Sequence, residues 1–508
     1  MKDANATGEV RFDPALGIVA QVLEAKRFSA AAGSERTLAS QEVFTTYYTV
    51  SVAFDASELA AAGEFSDDFF STPLQLLQDG ERRWERYLSQ TLGGSGRLSE
   101  ARQRIVVKAV STLVFNWRSA SGPGMPHDGC MPSAAFGTPY QGFWAWDSWK
   151  HSAALAAFNP QLAGDQVRLM LAFQGNETGR DGMIPDKVNM PPGSGLNFGN
   201  TKPPLASWAA WLTYHRSGDV SFLVDVFPKL ARYHAWWYRS RDHDQNGLCE
   251  YGAGGNDTQS MKWESGMDNA VRFDNVSMLE NGPNAWSASQ ESVDLNSFLY
   301  ADKLFLSAIA GVLGNTSAAD TYKAQAVSLR GLIQRRFFDE SRGYFFDRRL
   351  GADGTFVGPM GCEGFVPLWA GLAKPTQAAR VREKLVDPNK FGTKVPFPCV
   401  AADDPGFNPT GYWRGPVWLD QAYLGLRGLR RYGYDADADR MLRDLLHNAG
   451  GLDASKGSSE PFTEDYEPIT GQRSGVGMFG WSAAHLLLLL SEDVDDLPPD
   501  IHEIAVSV

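Results

Sequence analysis

From Pro73 onward, stretches with apolar residues at i, i+3, i+4 and i+7 alternate with two sorts of connection. After a first helix at 73–90, twelve more are predicted, near 101–117, 145–158, 162–175, 204–217, 220–240, 290–313, 318–337, 364–373, 375–386, 414–432, 435–449 and 479–491. Short turns such as NPQLAG and RSGDV join some neighbours. Six long Gly- and Pro-rich segments separate others: 118–144, 176–203, 241–289, 338–363, 387–413 and 450–478. Loops that long are uncommon in a compact domain unless they carry function. The alternation implies six helical hairpins set in a ring, with the long loops gathered at one end. That is a mainly α fold, an (α/α)6 barrel. An irregular helical domain, or two smaller ones, would give no reason for the alternation. Pro160, Pro203, Pro228 and Pro416 are placed near helix starts or in first turns, and Gly218 and Gly433 at stops.

Residues 1–70 differ. The run EVFTTYYTVSVAFD, Glu42 to Asp55, is rich in β-branched and aromatic residues, and 10–30 is a weaker strand candidate. Two or three strands do not stand alone. This segment therefore packs on the rest or is the remnant of a larger β domain. The expected organisation is a β-rich segment to 70, a linker helix within 71–100, the barrel over 101–495 and a tail from 496.

With 43% apolar and 21% charged residues, general disorder is excluded. A net charge of −13 argues against a nucleic acid partner. No apolar run approaches the ~20 residues of a membrane span. No signal-peptide pattern opens the chain, so the expected compartment is the cytoplasm. Cys130, Cys249, Cys362 and Cys399 lie far apart with no CxxC pair and are expected as free thiols. Aromatic residues reach 12%, many of them beside Asp, Arg and Gly in loops. That suits a flat, partly polar ligand such as a sugar, although a helical core absorbs Trp equally well.

Two segments concentrate carboxylates. SMKWESGMDNAVRFDN (260–275) holds Glu264, Asp268 and Asp274 among apolar neighbours. Such a setting disfavours the charged form and suits a general acid. SEPFTEDYEPITG (459–471) holds Glu460, Glu464, Asp465 and Glu467 and can position a water. Carboxylates from two loops are what glycoside hydrolysis requires, one on each side of the sugar. Any one of them alone is as readily a cap or a solvated charge. No P-loop, and no GxGxxG after a strand, calls for an organic cofactor.

Six motifs, FWAWDSWKH (143–151), GMIPDKV (182–188), NTKPPLASWA (200–209), ESGMDN (264–269), GYWRGPVW (411–418) and FTEDYEPITG (462–471), occur in an order that resembles glycoside hydrolase family 63. The resemblance covers about 140–490 and, through GNTKPPLASWAAW and ESGMDNAVRFDN, is nearest the bacterial α-glucosidase branch. Mannosylglycerate and glucosylglycerate hydrolases share the barrel. The resemblance implies an inverting reaction with Asp268 as general acid and Glu464 as general base; Glu467 and then Glu460 are the rivals for the base. In that geometry the two carboxyls stand roughly 6.5–9.5 Å apart. FWAWDSWKH matches a sugar-binding segment. Asp147 would accept sugar hydroxyls, Trp144 and Trp146 would offer faces for stacking, and Lys150 and His151 would stand behind them. A cap and core packing are the plain alternatives. GYWRGPVW brings Trp413, Arg414, Gly415 and Trp418. Arg414 can fork onto hydroxyls or a carboxylate, or act as a structural ion pair.

RDHDQNGLCEYG (241–252) sets Asp242, Asp244, Asn246, the Leu248 carbonyl and Glu250 at positions 1, 3, 5, 7 and 9 of an EF-hand-like loop, with Gly247 at position 6. Ala253 stands where the bidentate Glu belongs. Related bacterial enzymes carry calcium in a similar loop, which implies Glu291 as the completing carboxylate and a structural Ca2+. An Asx-rich turn without metal is the alternative. The large bacterial relatives also carry a full N-terminal β-sandwich, which the short segment here would truncate. The expected function is inverting hydrolysis of an α-glycosidic bond, α-glucosidic, in a di- or oligosaccharide. The alternative is hydrolysis of mannosylglycerate or glucosylglycerate, with Lys187, Lys202 and Arg414 available for the carboxylate. A trehalase and a non-catalytic sugar-binding barrel stand behind these.

Overall fold

The computed structural model describes residues 7–8, 23–24, 64, 72–93, 98–191, 193–351, 354–452 and 460–491. The chain divides into two compact units, Met1–Tyr87 and Leu88–Val508. In the first, Thr7–Gly8 pairs antiparallel with Leu23–Glu24. The predicted strand at Glu42 to Asp55 and the tail from 496 lie outside the described residues. The linker helix is Pro73–Leu92 and runs across the boundary.

In the second unit each of the twelve predicted barrel helices is present. Six of them close a ring. Ala145–Leu155 packs on Ala206–Ser217, then come Val293–Val312, Val366–Trp369, Leu419–Arg431 and Gly480–Leu490, which returns to Ala145–Leu155. Outside this ring lie Glu100–Phe115, Pro160–Ala172, Val220–Ser240, Thr316–Arg336, Pro375–Val386 and Asp435–Asn448. The sequences explain which helix goes where. All eleven residues of Ala145–Leu155 and 16 of the 20 in Val293–Val312 are buried, as a helix enclosed on every side requires. Asp435–Asn448 buries Ala438, Met441, Leu442, Leu445 and Leu446, one stripe at i, i+3, i+4, i+7 and i+8. This is the (α/α)6 barrel.

Helix boundaries follow local chemistry. Asn159 caps Pro160–Ala172 by accepting from Leu162 N, with Pro160 at the first position. Gly218 ends Ala206–Ser217 in the left-handed conformation, φ 67°, and Asp219 caps the next helix. One expectation is corrected: Pro228 lies in the interior of Val220–Ser240, not in a first turn. The amide hydrogen bond that Pro228 lacks is tolerated there, with Val226 and Leu230 on either side buried. A helix not foreseen, Thr258–Ser265, stands inside the third long loop. The four cysteines are free and buried, and among the described residues no helix is long and apolar enough to cross a membrane.

Each long loop leads into an inner helix, so the six loops meet at the N-terminal ends of the ring. Small sheets fix them there. Gly142–Trp144 pairs with Lys187–Asn189, which pairs with Leu196–Asn197. Thr463–Tyr466 forms a hairpin with Arg473–Gly477. Inside the ring, Trp208, Phe298, Trp369 and Tyr423 pack edge-on or tilted and close its floor beneath Lys150.

Candidate active site

Glu464 sits at a bulge. The hairpin register shifts between Thr463 and Asp465, and opposite it Gly475 takes φ 71°. A bulge re-aims a side chain, and here it turns Glu464 toward the mouth of the ring. A Cβ on Gly475 would lie 2.6 Å from the Glu464 Cβ, so glycine is required. Val476 N donates to Glu464 Oε2 at 3.2 Å. Two tyrosine hydroxyls donate to its Oε1, those of Tyr140 and of Tyr412, the latter at 2.9 Å. Burial first, and then the Glu464 charge, push both phenols far above their usual range, so both stay protonated donors. Tyr412 holds this position with φ 63°, a left-handed backbone that a bulky residue rarely adopts.

Asp268 enters from another loop. The helix Thr258–Ser265 ends at Gly266, φ 73°, where a Cβ would meet the Trp146 ring at 2.2 Å. Asn269 then locks the segment to the 411–418 loop: its Oδ1 accepts from Trp413 N at 2.9 Å and its Nδ2 donates to the Gly411 carbonyl at 3.0 Å. Asp268 is half-buried. Burial pushes its carboxyl up to about 6, against the opposing charge of Lys202 and with help from Asp186 and Glu464. The Asp268 carboxyl therefore feels the Glu464 charge. Lys202 ion-pairs with Asp186 at 3.2 Å and donates to the Trp263 carbonyl. Its own burial works against the charge, and Asp186, Asp268 and Asp147 outweigh it, so it stays cationic.

Asp147 stands in the first turn of Ala145–Leu155, buried, with no ion pair among the described residues. It does not cap that helix, since Trp144 occupies the cap position. Burial lifts its carboxyl to about 7, with Lys150 and Lys202 opposing. Lys150 is committed to Asp420 at 2.7 Å, its ammonium 3.2 Å from the Trp146 ring and 3.9 Å from the Trp481 ring. Trp413 stacks on Trp418 at 3.9 Å and 6°, and Trp481 closes the box edge-on. Trp146, Trp413 and Trp418 are thus a buried aromatic wall, while Trp144 is half-buried, with Tyr140 on its edge and the Lys187 ammonium 4.1 Å over its ring.

Other sequence candidates fall elsewhere. Arg414 forks onto Asp274, both bonds 2.8 Å, and donates to the Asn269 carbonyl, which makes it a clamp on the Asp268 segment. Gly415 abuts the Asn408 carbonyl, where a Cβ would lie at 2.1 Å. His151 faces the core and contacts the Cys130 carbonyl at 3.2 Å. Glu467 caps its own turn through Ile469 N and Thr470, and Glu460 pairs with Arg473 at 2.9 Å. Glu464, and neither rival, is among the charges that raise the Asp268 carboxyl. Glu264 is fully buried in a fork with Arg241. Sequence reasoning did not single out Tyr140, Tyr412, Asp186 or Trp481. Tyr412 lay inside a quoted motif, GYWRGPVW, and Tyr140 just ahead of another.

The 241–252 loop makes the expected tight turn, with Gln245 at φ 56° and Gly247 at φ 87°. Asp242 accepts from Asn246 N and Gly247 N, both 3.0 Å, and Leu248 N donates to Asn246 Oδ1 at 2.8 Å. The Asn246 amide bridges Asp244 at 3.0 Å and Glu291 at 2.8 Å, and Arg336 pairs with Glu291 at 2.6 Å. Among the described residues no three His, Cys, Asp or Glu side chains form a metal shell. The all-oxygen donor set, with a buried Glu250 Oε1 that has no partner among the described residues, nonetheless fits a hard cation in kind.

A model of the mannosylglycerate hydrolase MGH1-like glycoside hydrolase domain matches residues 140–482. The mannosylglycerate hydrolase of Thermus thermophilus is 27% identical over 448 residues, 74% of this chain and 98% of its own length. Mannosylglycerate hydrolase MGH2 of Selaginella moellendorffii is 26% identical over 425 residues, 69% of this chain and 80% of its own. A crystal structure of a family 63 mannosylglycerate hydrolase from Thermus thermophilus, in complex with Tris and D-glycerate, superposes with a TM-score of 0.60 at 23% identity, covering 76% of this chain and 99% of that one. The span of the family match takes in every element that builds the pocket, from Tyr140 to Trp481. The chain accordingly belongs to the mannosylglycerate hydrolase MGH1-like glycoside hydrolases and is a glycosidase of glycoside hydrolase family 63.

Proposed function

We propose that the chain hydrolyses an α-glycoside of glycerate, mannosylglycerate or glucosylglycerate, with inversion at the anomeric carbon. The observation that carries the reaction is the facing pair: Asp268, whose carboxyl is held near 6, and Glu464, held by Tyr140 and Tyr412. Asp268 protonates the glycosidic oxygen as the bond to the anomeric carbon breaks. Glu464 takes a proton from the water that attacks the opposite face. Asp147, buried and without an ion pair among the described residues, accepts sugar hydroxyls. The family match supports glycerate as the leaving group over the neutral α-glucoside expected from the motifs alone. Two of the three cations foreseen for the carboxylate are engaged, Lys202 with Asp186 and Arg414 with Asp274. Lys187 has no ion pair among the described residues, which leaves it for the carboxylate.

The test is a panel of mannosyl and glucosyl glycerates and disaccharides, with proton NMR of the first-formed anomer. A glycerate is expected to be turned over best, releasing the β anomer first. Lys187→Met is expected to raise KM for it by about tenfold, as loss of one charged hydrogen bond does, with a smaller change in kcat. Faster turnover of a neutral disaccharide would sink the substrate assignment; the α anomer appearing first would sink the mechanism.

For the 241–252 loop we propose a structural calcium held by Asp242, Asp244, Asn246, the Leu248 carbonyl, Glu250 and Glu291. Its role would be to offset the crowded carboxylates and stiffen the approach to Asp268. Calcium at about a hundred times its Kd is expected to stabilise the fold by about 2.7 kcal/mol over protein in chelator, read as a higher Tm. Equal Tm values with calcium and with EGTA would remove the ion from the account.

A further inference from the structure

On the outer side of the ring, beside Gly247 of the 241–252 loop, the helices Val220–Ser240, Val293–Val312 and Thr316–Arg336 flank an open cavity of about 640 Å³. Its polar lining is His234, Tyr238, Lys303 and Gln325, and its apolar lining includes Leu329 and Leu332. A chain of hydrogen bonds crosses it. His234 Nδ1 lies 2.6 Å from Asp302 Oδ2, and His234 Nε2 lies 2.8 Å from Lys303 Nζ. The carboxylate fixes the proton on Nδ1, so the neutral imidazole accepts from the lysine. Lys303 donates a second time to Gln325 Oε1 at 3.3 Å. An ammonium carries three donors, so one remains. Asp302, His234 and Lys303 are each about 4–5% exposed.

This arrangement leaves a buried cation short of counter-charge. Asp302 is hydrogen-bonded to His234, and its negative charge acts on Lys303 without touching it. Burial lowers the lysine to about 8, with Cys249 and Asp302 opposing. The Tyr238 ring lies 4.2 Å from the ammonium, and its hydroxyl is buried with no hydrogen-bond partner among the described residues. An under-compensated cation and an orphaned hydroxyl, both on residues that line the same cavity, are the elements of an anion receptor.

We propose that this cavity is a second binding site, for a small monocarboxylate whose oxygens take the third Lys303 donor and the Tyr238 hydroxyl and whose carbon chain lies on Leu329 and Leu332. A dianion such as phosphate fits less well. There is one cation, the other donors are neutral, and Asp302 lies immediately behind. The exposed Arg239 on the lining is already held by Asp181, through its carbonyl at 2.7 Å and its carboxylate at 3.6 Å. The site is independent of the glycosidic reaction and of its substrate.

Ligand-observed NMR on the whole protein tests this, with butyrate as probe, butyramide as its neutral isostere and inorganic phosphate as the dianion. At pH 7 butyrate is expected to saturate one class of site with a Kd of roughly millimolar order. Tyr238→Phe is expected to weaken it by about threefold to fivefold and Lys303→Gln by at least about tenfold, with glycosidase activity unchanged in Tyr238→Phe. Affinity is expected to fall between pH 7 and 9 as Lys303 loses its proton. The groups facing it are His234, lowered by burial; Tyr238, Tyr322 and Cys249, all raised by burial; and Asp302. None of the raised groups nor His234 gains charge in that window. Equal binding of butyramide, tighter binding of phosphate, no saturation by roughly 0.1 M butyrate, or an unchanged Kd in Tyr238→Phe would each overturn the proposal. Tyr238→Phe leaves the Asp302–His234–Lys303 chain intact, so it decides the matter if Lys303→Gln does not fold.

Discussion

Asp268→Asn and Glu464→Gln are each expected to lower kcat/KM for the natural substrate by about 10³-fold or more, near the upper end of what one general acid or base supplies. Neither change alters side-chain size, and an amide at position 464 would still accept from Tyr140 and Tyr412. What is lost is a transferable proton in one case and a proton acceptor in the other. The two variants part company on an activated substrate. A glycosyl fluoride leaves without protonation, so Asp268→Asn is expected to recover most of its rate on it, while Glu464→Gln stays slow. Failure to separate in this way would mean that the roles are misassigned. The pH profile carries the same information. As the proposed general acid Asp268 would have to be protonated, and burial pushes its carboxyl up to about 6. The alkaline limb of kcat/KM is therefore expected to turn down near pH 6, falling tenfold per unit above it. The sign for stability is opposite to that of a salt-bridged carboxylate. The folded value lies above the ordinary 3.8, so the folded chain holds the proton more tightly. Asp268 thus loses stability for the fold as pH rises through 3.8 to about 6. Asp268→Asn removes that loss, and its Tm at pH 7 is expected to match or exceed the wild type, which separates lost chemistry from lost folding.

Glu264→Ala is expected to cost about 3–5 kcal/mol of stability, the usual result of breaking a fully buried ion pair from one side. Both partners are wholly buried, Arg241 reaching Glu264 through Nε at 2.7 Å and Nη2 at 2.8 Å. The carboxylate also accepts from Thr201 N at 3.1 Å and Gly252 N at 2.7 Å. Its removal strands a guanidinium and two amides in the interior. The same contacts tie the Lys202 segment to the helix that presents Asp268, so activity is expected to fall with stability. Urea unfolding followed by fluorescence reads the effect; a loss below about 1 kcal/mol, the range of a surface pair, would show that water reaches the site. The Arg414–Asp274 fork, partly exposed, belongs to that weaker class.

The ring was legible because its cause is periodic. Helices closed in on all sides and helices with one apolar stripe leave different patterns, and the six long loops stood out against the short turns. Asp268 and Glu464 were legible as members of ordered motifs. The surroundings that tune them were not. Tyr140 reaches Glu464 across 324 residues of chain, and no local pattern marks such a contact. Glu264 and Asp268 are four residues apart and look alike in sequence, yet one is buried in an ion pair and the other faces the pocket. Arg414 was open between hydroxyls and an ion pair until Asp274 was found beside it. NTKPPLASWA pointed to a neutral α-glucoside, whereas the family match favours a glycerate glycoside; Lys202 of that segment is engaged with Asp186, a pairing that its local sequence does not reveal.

The ring also does something for the charges it collects. All six inner helices begin on the side of the ring where the long loops meet, and the five of 11 or more residues each carry at that end a partial positive charge of about half an elementary unit from unpaired amides. Asp147, Asp294 and Asp420 stand in first turns of three of them. In a chain of net charge −13, the backbone itself thus makes the mouth of the barrel more hospitable to anions than its side chains suggest. Asp294 and Asp420 are further offset by Arg272 and Lys150, so the carboxylates at these helix starts weigh less against an anion than their number implies.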